Sequence, residues 1–137
     1  MIGRVPFLLG LLLAGTGCSP VTDATGPACG AAMRVYQLYF GRAMADGGQV
    51  SDADWAGFRE GVITPNLPAG YTLLDAEGAW ASPRTGRTIA ERTKLLIVAL
   101  PDRPDSTAAV NRVRAAYQTQ FRQQSVGLTA HPACGSF

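Results

Sequence analysis

The residues that could do chemistry are few, and their spacing completes no catalytic or metal site. His131 is the single histidine of the sequence, and Cys134 follows three positions later. A cysteine and a histidine can act as nucleophile and base, but one histidine cannot form a multi-histidine metal site. A cysteine committed to a disulfide is no nucleophile. An ordinary strand or surface histidine is therefore the simpler interpretation.

Acidic residues form two short patterns. Asp52 and Asp54 resemble the opening of a calcium loop, but Ala56 and Ile63 stand where that loop needs oxygen ligands. Acidic residues at the positive end of a helix explain them better. Further along, Asp75 and Glu77 fall on one face of a predicted strand and could be paired carboxylates. Solvated side chains of an edge strand are the simpler interpretation.

Two other features could contact a ligand. Glu91 and Lys94 lie near one end of a predicted strand, where they could bind a ligand or form an ion pair that shapes a bulge. Trp80 could cover a hairpin or line a pocket beside it. The glycines match no dinucleotide fingerprint, phosphate-binding loop or nucleophile elbow. The sequence therefore predicts no catalytic set, no cofactor and no metal.

The elements that position these residues follow the order β-α-β-β-α-β. Strand patterns cover residues 35–40, 71–81, 88–100 and 126–131. A capping box at Ser51 predicts the first helix, which Pro65 and Pro68 end, and Asp105 or Ser106 is expected to cap the second. This order predicts an α+β domain with the ferredoxin-like split βαβ fold. Its antiparallel four-stranded sheet has strand order 4-1-3-2 and two helices on one face.

Residues 95–100 are six consecutive apolar residues, so the third strand is apolar on both faces. Helices cover only one face of such a sheet, and something should cover the other. A second copy could do so by two-fold symmetry, and two sheets packed face to face form a dimeric α/β barrel that encloses small-molecule pockets. The candidate ligand-binding residues are Gln37, Tyr39, Trp80, Glu91 and Lys94.

Length and charge limit the remaining function classes. The chain has 137 residues, which suits one domain. Twelve basic residues against ten acidic ones give a net charge of +2. This balance gives no electrostatic reason to expect nucleic acid as a partner.

The N-terminus predicts export. Arg4 supplies positive charge, residues 7–14 are almost entirely apolar, and small residues precede Cys18. The segment resembles a bacterial lipoprotein signal, in which the cysteine after the cleavage site is acylated. Gly15 departs from the larger residue usual at that position, and ordinary cleavage after Gly17 is the alternative. We expect a signal peptide over residues 1–17, a lipidated Cys18 with a flexible tether over 18–28, and one domain over 29–137.

The cysteine count agrees with a lipid anchor, because three cysteines in an oxidising compartment leave one without a disulfide partner. If Cys18 carries the lipid, Cys29 and Cys134 remain as a pair. In the predicted fold the start of the first strand neighbours the end of the last. A disulfide between Cys29 and Cys134 would join those two ends.

Several spaced motifs from Val35 to the end resemble the bacterial family known as domain of unknown function 3574. They are residues 38–42, 50–55, 73–76, Gly78, Trp80, Glu91, Lys94, 95–98, 115–117, Phe121, 124–126, Ala133, Cys134, Ser136 and Phe137. The resemblance implies an exported and often lipid-anchored protein. It brings no established activity, substrate or catalytic residue.

These observations favour a non-catalytic lipoprotein of the bacterial cell envelope. It would be held to the membrane through Cys18 and face the periplasm or the cell exterior, and its domain would bind a partner or small ligand. The alternative is a dimeric-barrel enzyme that acts on a small apolar or aromatic compound. By analogy of fold, that enzyme would resemble the antibiotic-biosynthesis monooxygenases.

The signal sequence gives the first testable prediction. We expect the mature protein to begin at an acylated Cys18 and to partition with membranes, and Cys18→Ala to be released or poorly processed. Intact-mass measurement checks this. An unmodified N-terminus immediately after Gly17 would contradict the lipid anchor.

Overall fold

Four antiparallel strands form one sheet in the computed structural model, which describes residues 30–82 and 85–136. The strands are β1 (Ala31–Gly41), β2 (Thr72–Ala81), β3 (Thr88–Pro101) and β4 (Gly127–Gly135). Their spatial order is β2-β3-β1-β4, with β1 paired to both β3 and β4. This arrangement confirms the predicted ferredoxin-like α+β fold.

The first helical segment follows a short loop after β1. It consists of α1 (Asp52–Phe58), a π-helical turn (Arg59–Ile63) and α2 (Thr64–Asn66). The predicted capping box is confirmed: Asp54 N donates to Ser51 Oγ at 3.1 Å, and Ser51 N donates to Asp54 Oδ2 at 3.2 Å. Because Pro65 has no N–H, the turn before it lacks an α-type bond, and Thr64 N bonds five residues back to Arg59.

The second helix, α3 (Pro104–Phe121), begins earlier than the sequence predicts. Its N-cap is Arg103, which makes no capping bond through its side chain, so the expectation that Asp105 or Ser106 caps the helix is wrong. Pro104 explains the shift, because its fixed φ suits the first helical position and its missing N–H needs no partner there. The helix ends at Phe121, and the next residue, Arg122, adopts the left-handed conformation with φ 51°.

An aromatic cluster joins the helices to the inner side of the sheet. Its members are Phe40, Trp55, Phe58, Tyr117 and Phe121, with ring centroids 4.8 to 6.2 Å apart and mostly edge-to-face. Such contacts add to the stabilisation from burial. Tyr117 also donates from its hydroxyl to Gly41 O at 2.9 Å, and burial raises the pKa of this phenol.

Both ends of the domain meet at one edge of β1. The register places Ala31 opposite Gly135 and Ala32 opposite Cys134, and Cys134 is not a free thiol. Cys18, Cys29 and the predicted signal and tether lie outside the described residues, so the lipid anchor and the Cys29–Cys134 pair stay predictions. Within residues 30–82 and 85–136, no helix is both long and apolar enough to cross a membrane.

The adjacent chain ends generate the second prediction. A disulfide between Cys29 and Cys134 would close a loop of about a hundred residues and stabilise the domain by roughly 2 to 5 kcal/mol. Peptide mapping without reductant should recover the two cysteines in one linked peptide. A linked pair that contains Cys18 instead would contradict both this bridge and acylation of Cys18.

Candidate functional site

The sheet has one side packed against the helices and one side without them. Alternate residues of β1 and β3 face the helices and are buried: Tyr36, Leu38, Phe40, Leu96, Val98 and Leu100. The residues between them lie on the other side, which we call the open face. By strand alternation and register it comprises Met33, Val35, Gln37, Tyr39, Thr72, Leu74, Leu95, Ile97, Ala99, Thr129, His131 and Ala133. Gln37 and Tyr39, two of the candidate ligand-binding residues, therefore lie on the open face.

Large exposed apolar side chains concentrate on this side of the sheet. Among the described residues they are Tyr39, Leu74, Trp80 and Ile89, with exposed fractions of 38%, 46%, 39% and 37%. Leu74 lies opposite Leu95, and Trp80 lies opposite Ile89 beyond the part of β3 that pairs with β1. By alternation along β1, β2 and β3, all four belong to the open-face side. The apolar surface therefore continues from the sheet onto the protruding β2–β3 hairpin.

A small polar network lies within the apolar open face. Gln37 Oε1 accepts hydrogen bonds from Tyr39 Oη at 3.0 Å and from Thr129 Oγ1 at 3.1 Å. The Tyr39 ring packs over Gly127 on β4, where an added Cβ would lie 3.2 Å from Tyr39 Cδ2. The hydroxyl and the ring are thus both held, and the outer side of the ring stays exposed.

Glu91 belongs to the open-face side by register but turns back over β1. Its Oε2 accepts from Ala43 N at 3.1 Å, and a Cβ at Gly41 would lie 2.5 Å from its Oε1. The Glu91 carboxylate therefore occupies the space that a side chain at position 41 would fill. Glu91 ties the hairpin to the loop after β1.

Lys94 lies on the helix side of the sheet, apart from the other candidates. Its Nζ contacts Asp75 Oδ1 at 2.5 Å, and this hydrogen bond lowers the pKa of Asp75. Glu91 and Lys94 occupy opposite sides of β3, whose pairing with β2 continues without a break. The interpretation of these two residues as an ion pair that shapes a bulge is therefore wrong.

Arg42 is a buried charged residue that the sequence analysis missed. Its side chain is 3% exposed. It donates from Nε to Val50 O at 2.8 Å and from Nη1 to Asp52 Oδ1 at 2.7 Å, and Nη2 also donates to Val50 O. The bond from Arg42 also lowers the pKa of Asp52. Asp52 therefore anchors the loop before α1 through Arg42.

A shallow groove of about 460 Å³ lies on the other side of the sheet, between the start of α3 and β4. Tyr36 and Leu128 form part of its wall. Its polar groups are largely paired with one another: Arg34 makes two bonds to Asp102, at 2.9 and 3.1 Å, and the Tyr36 hydroxyl lies 2.7 Å from Thr107 Oγ1. In the described part of the chain, no three His, Cys, Asp or Glu residues come together as a potential metal site.

Residues 35–137 match the family described as "Protein of unknown function (DUF3574)". The chain belongs to this family. The match confirms the resemblance seen in the spaced motifs, and it covers every strand and helix of the domain except the start of β1. No curated protein matches this chain.

Solved structures with the same fold have very different sequences. A phage SAM lyase in complex with S-methyl-5'-thioadenosine has 14% identity and a TM-score of 0.58, over 80% of this chain and 95% of the lyase. CutA1 from Oryza sativa has 13% identity and a TM-score of 0.53, over 79% and 85%. CutA from Synechococcus elongatus has 10% identity and a TM-score of 0.52, over 84% and 88%. At this level of identity the likeness establishes the fold alone.

The contact between Glu91 and Gly41 generates the third prediction. Gly41→Ala should push the carboxylate away from Ala43 N, and Glu91→Ala should remove the same bond, each at a cost of about 1 kcal/mol. Because both changes break one bond, the double variant should be about as stable as Glu91→Ala alone. Urea unfolding measures the three stabilities. Additive losses would show that Glu91 does not depend on the space at Gly41.

Proposed function

We propose that this protein is a lipoprotein of the cell envelope whose domain is a binding module, and that a second copy covers its open face. The observation that carries the proposal is the placement of the exposed large apolar side chains. All four in the described residues lie on the open-face side. Monomeric proteins rarely expose contiguous apolar surface of this extent, and such surfaces usually mark interaction sites.

The size of the open face suits a stable dimer. With strands about 4.8 Å apart and a rise of about 3.4 Å per residue, the twelve open-face residues and the residues between them cover roughly 400 Å², and the same side of the β2–β3 hairpin adds roughly 200 Å². Two copies would then bury about 1,200 Å², which exceeds the roughly 1,000 Å² expected of a specific interface. Two-fold symmetry lets one patch serve both partners.

The charge of the open face favours a second copy as its partner. None of its twelve residues is Asp, Glu, Lys or Arg, so two identical faces meet without like-charge repulsion. Charged side chains lie elsewhere: Arg34 pairs with Asp102, and Lys94 pairs with Asp75 on the helix side. Glu91 lies on the same side of the hairpin but accepts from Ala43 N, and the twelve open-face residues offer a charged partner no complementary group.

The proposed attachment to the membrane rests on the sequence. Acylation of Cys18 would hold the domain outside the cytoplasmic membrane through the tether over residues 18–28. A tether rich in Pro, Thr and Gly has little apolar area to bury. It would leave the open face accessible to a second anchored copy.

The alternative function, a dimeric-barrel enzyme, rests on the fold and on the same open face. The phage SAM lyase shares the fold and was solved in complex with a small molecule, S-methyl-5'-thioadenosine. Two sheets packed face to face would enclose a small molecule between them. A reaction would additionally need a catalytic group, which no contact in the described residues assigns.

The proposal makes a fourth prediction that separates the two sides of β3. Ile97→Glu should place a charge on the open face and give a folded monomer. Leu96→Glu should bury an unpaired carboxylate against the helices and cost about 4 kcal/mol or more, which would unfold the domain. Light scattering at micromolar concentration gives the mass, and circular dichroism gives the fold.

Ala115→Glu is the matched control, because it adds the same charge at an exposed position of α3. We expect this variant to stay folded and to keep the mass of the parent protein. A parent protein with the mass of one copy would contradict the proposed dimer.

A further inference from the structure

We propose that the open face carries a ligand subsite formed by the Gln37 amide and the Tyr39 ring. Its ligand class is a small planar aromatic compound with a hydrogen-bond acceptor oxygen, such as an aromatic ketone. This inference rests on the proposed function, since the subsite lies in the face that a second copy covers.

The hydrogen bonds of Gln37 define what the subsite can recognise. Both lone pairs of Oε1 are occupied, by Tyr39 Oη at 3.0 Å and by Thr129 Oγ1 at 3.1 Å. These two bonds fix the carbonyl end of the amide and leave Nε2, with two N–H groups, as the end available for a partner. The side chain is therefore a positioned hydrogen-bond donor within an otherwise apolar surface.

When a second copy covers the open face, the Gln37 Nε2 group needs a hydrogen-bond acceptor. A buried N–H group without a partner is costly, so Nε2 must meet an acceptor when the second copy packs. By two-fold symmetry the Gln37 Oε1 of that copy already accepts two bonds, so the acceptor comes either from a hydroxyl group of that copy or from a bound molecule. A molecule with an acceptor oxygen, held between the sheets, satisfies both amides.

Tyr39 specifies the rest of the ligand. Its ring packs over Gly127 and its hydroxyl bonds Gln37, so the ring orientation is fixed before any ligand binds. The outer side of the ring is part of the 38% of this residue that stays exposed. A fixed and exposed aromatic ring is a stacking surface for a planar aromatic group. The neighbouring Leu95 and Ile97 extend this surface with apolar contacts.

Two fluorescent probes test the subsite. Prodan is a naphthyl ketone whose carbonyl can accept from Nε2, and N-phenyl-1-naphthylamine is an aromatic compound without a carbonyl. Titrations would use the Cys18→Ala chain recovered from the released fraction, which lacks the acylation site. We expect the parent chain to bind both probes. Gln37→Met should raise the Kd for prodan about 3- to 10-fold, as loss of one neutral hydrogen bond implies. The Kd for N-phenyl-1-naphthylamine should stay within about 2-fold of the parent value.

Gln124→Met is the matched control, since it makes the same change at an exposed residue outside the sheet.

Equal weakening of both probes, or no difference between Gln37→Met and Gln124→Met, would overturn the subsite. Light scattering on the same samples separates the two proposals. If the protein has the mass of one copy and Gln37→Met selectively weakens prodan binding, the dimer is contradicted and the subsite is supported. The mass of two copies without that selectivity would contradict the subsite alone.

Discussion

The helices cover only one side of this sheet, and the rest of the structure depends on that constraint. Residues 95–100 of β3 are all apolar, so burying Leu96, Val98 and Leu100 against the helices leaves Leu95, Ile97 and Ala99 on the opposite side. Hydrophobic association is roughly proportional to the apolar area removed from water. An uncovered face of this composition is therefore a source of binding free energy.

Polar side chains serve different purposes at the end of the sheet and at its open face. Near the end of β1, Arg42 and Glu91 hold the loop and the hairpin, and Lys94 pairs with Asp75. These contacts position elements and leave the apolar surface free of charge. Gln37, by contrast, lies within that surface and bonds only through its carbonyl end in the described residues. This difference separates residues that maintain the fold from one that can recognise a ligand.

The sequence predicted the fold well because its signals were local and mutually consistent. The apolar alternation placed the strands, Ser51 with Asp54 marked a helix start, and the doubly apolar β3 indicated the open face. The helix at Pro104 was misplaced because two polar residues competed with proline for the start. From the sequence alone, a polar residue after a proline can be either the N-cap of a helix or part of its first turn.

The candidate site was predictable only in part, because its partners come from distant strands. Gln37 and Tyr39 could be placed on one face by alternation, but their link to Thr129 needs the β1–β4 register. Glu91 and Lys94 are close in sequence and lie on opposite sides of β3. Arg42 was missed because nothing local shows that an arginine after a strand will be buried. The partners of these residues depend on contacts between strands, helices and loops, which a local sequence pattern does not show.

The central claim is that a second copy covers the open face, and concentration-dependent hydroxyl-radical footprinting tests it most directly. Tyr39 and Leu74 are open to solvent in a single copy, and burial in a dimer should protect them as the concentration rises through the micromolar range. Exposed residues of α3 and the loops provide the reference. We expect oxidation of Tyr39 and Leu74 to fall with concentration while that reference stays constant. Oxidation of Tyr39 and Leu74 that does not change with concentration would contradict the claim.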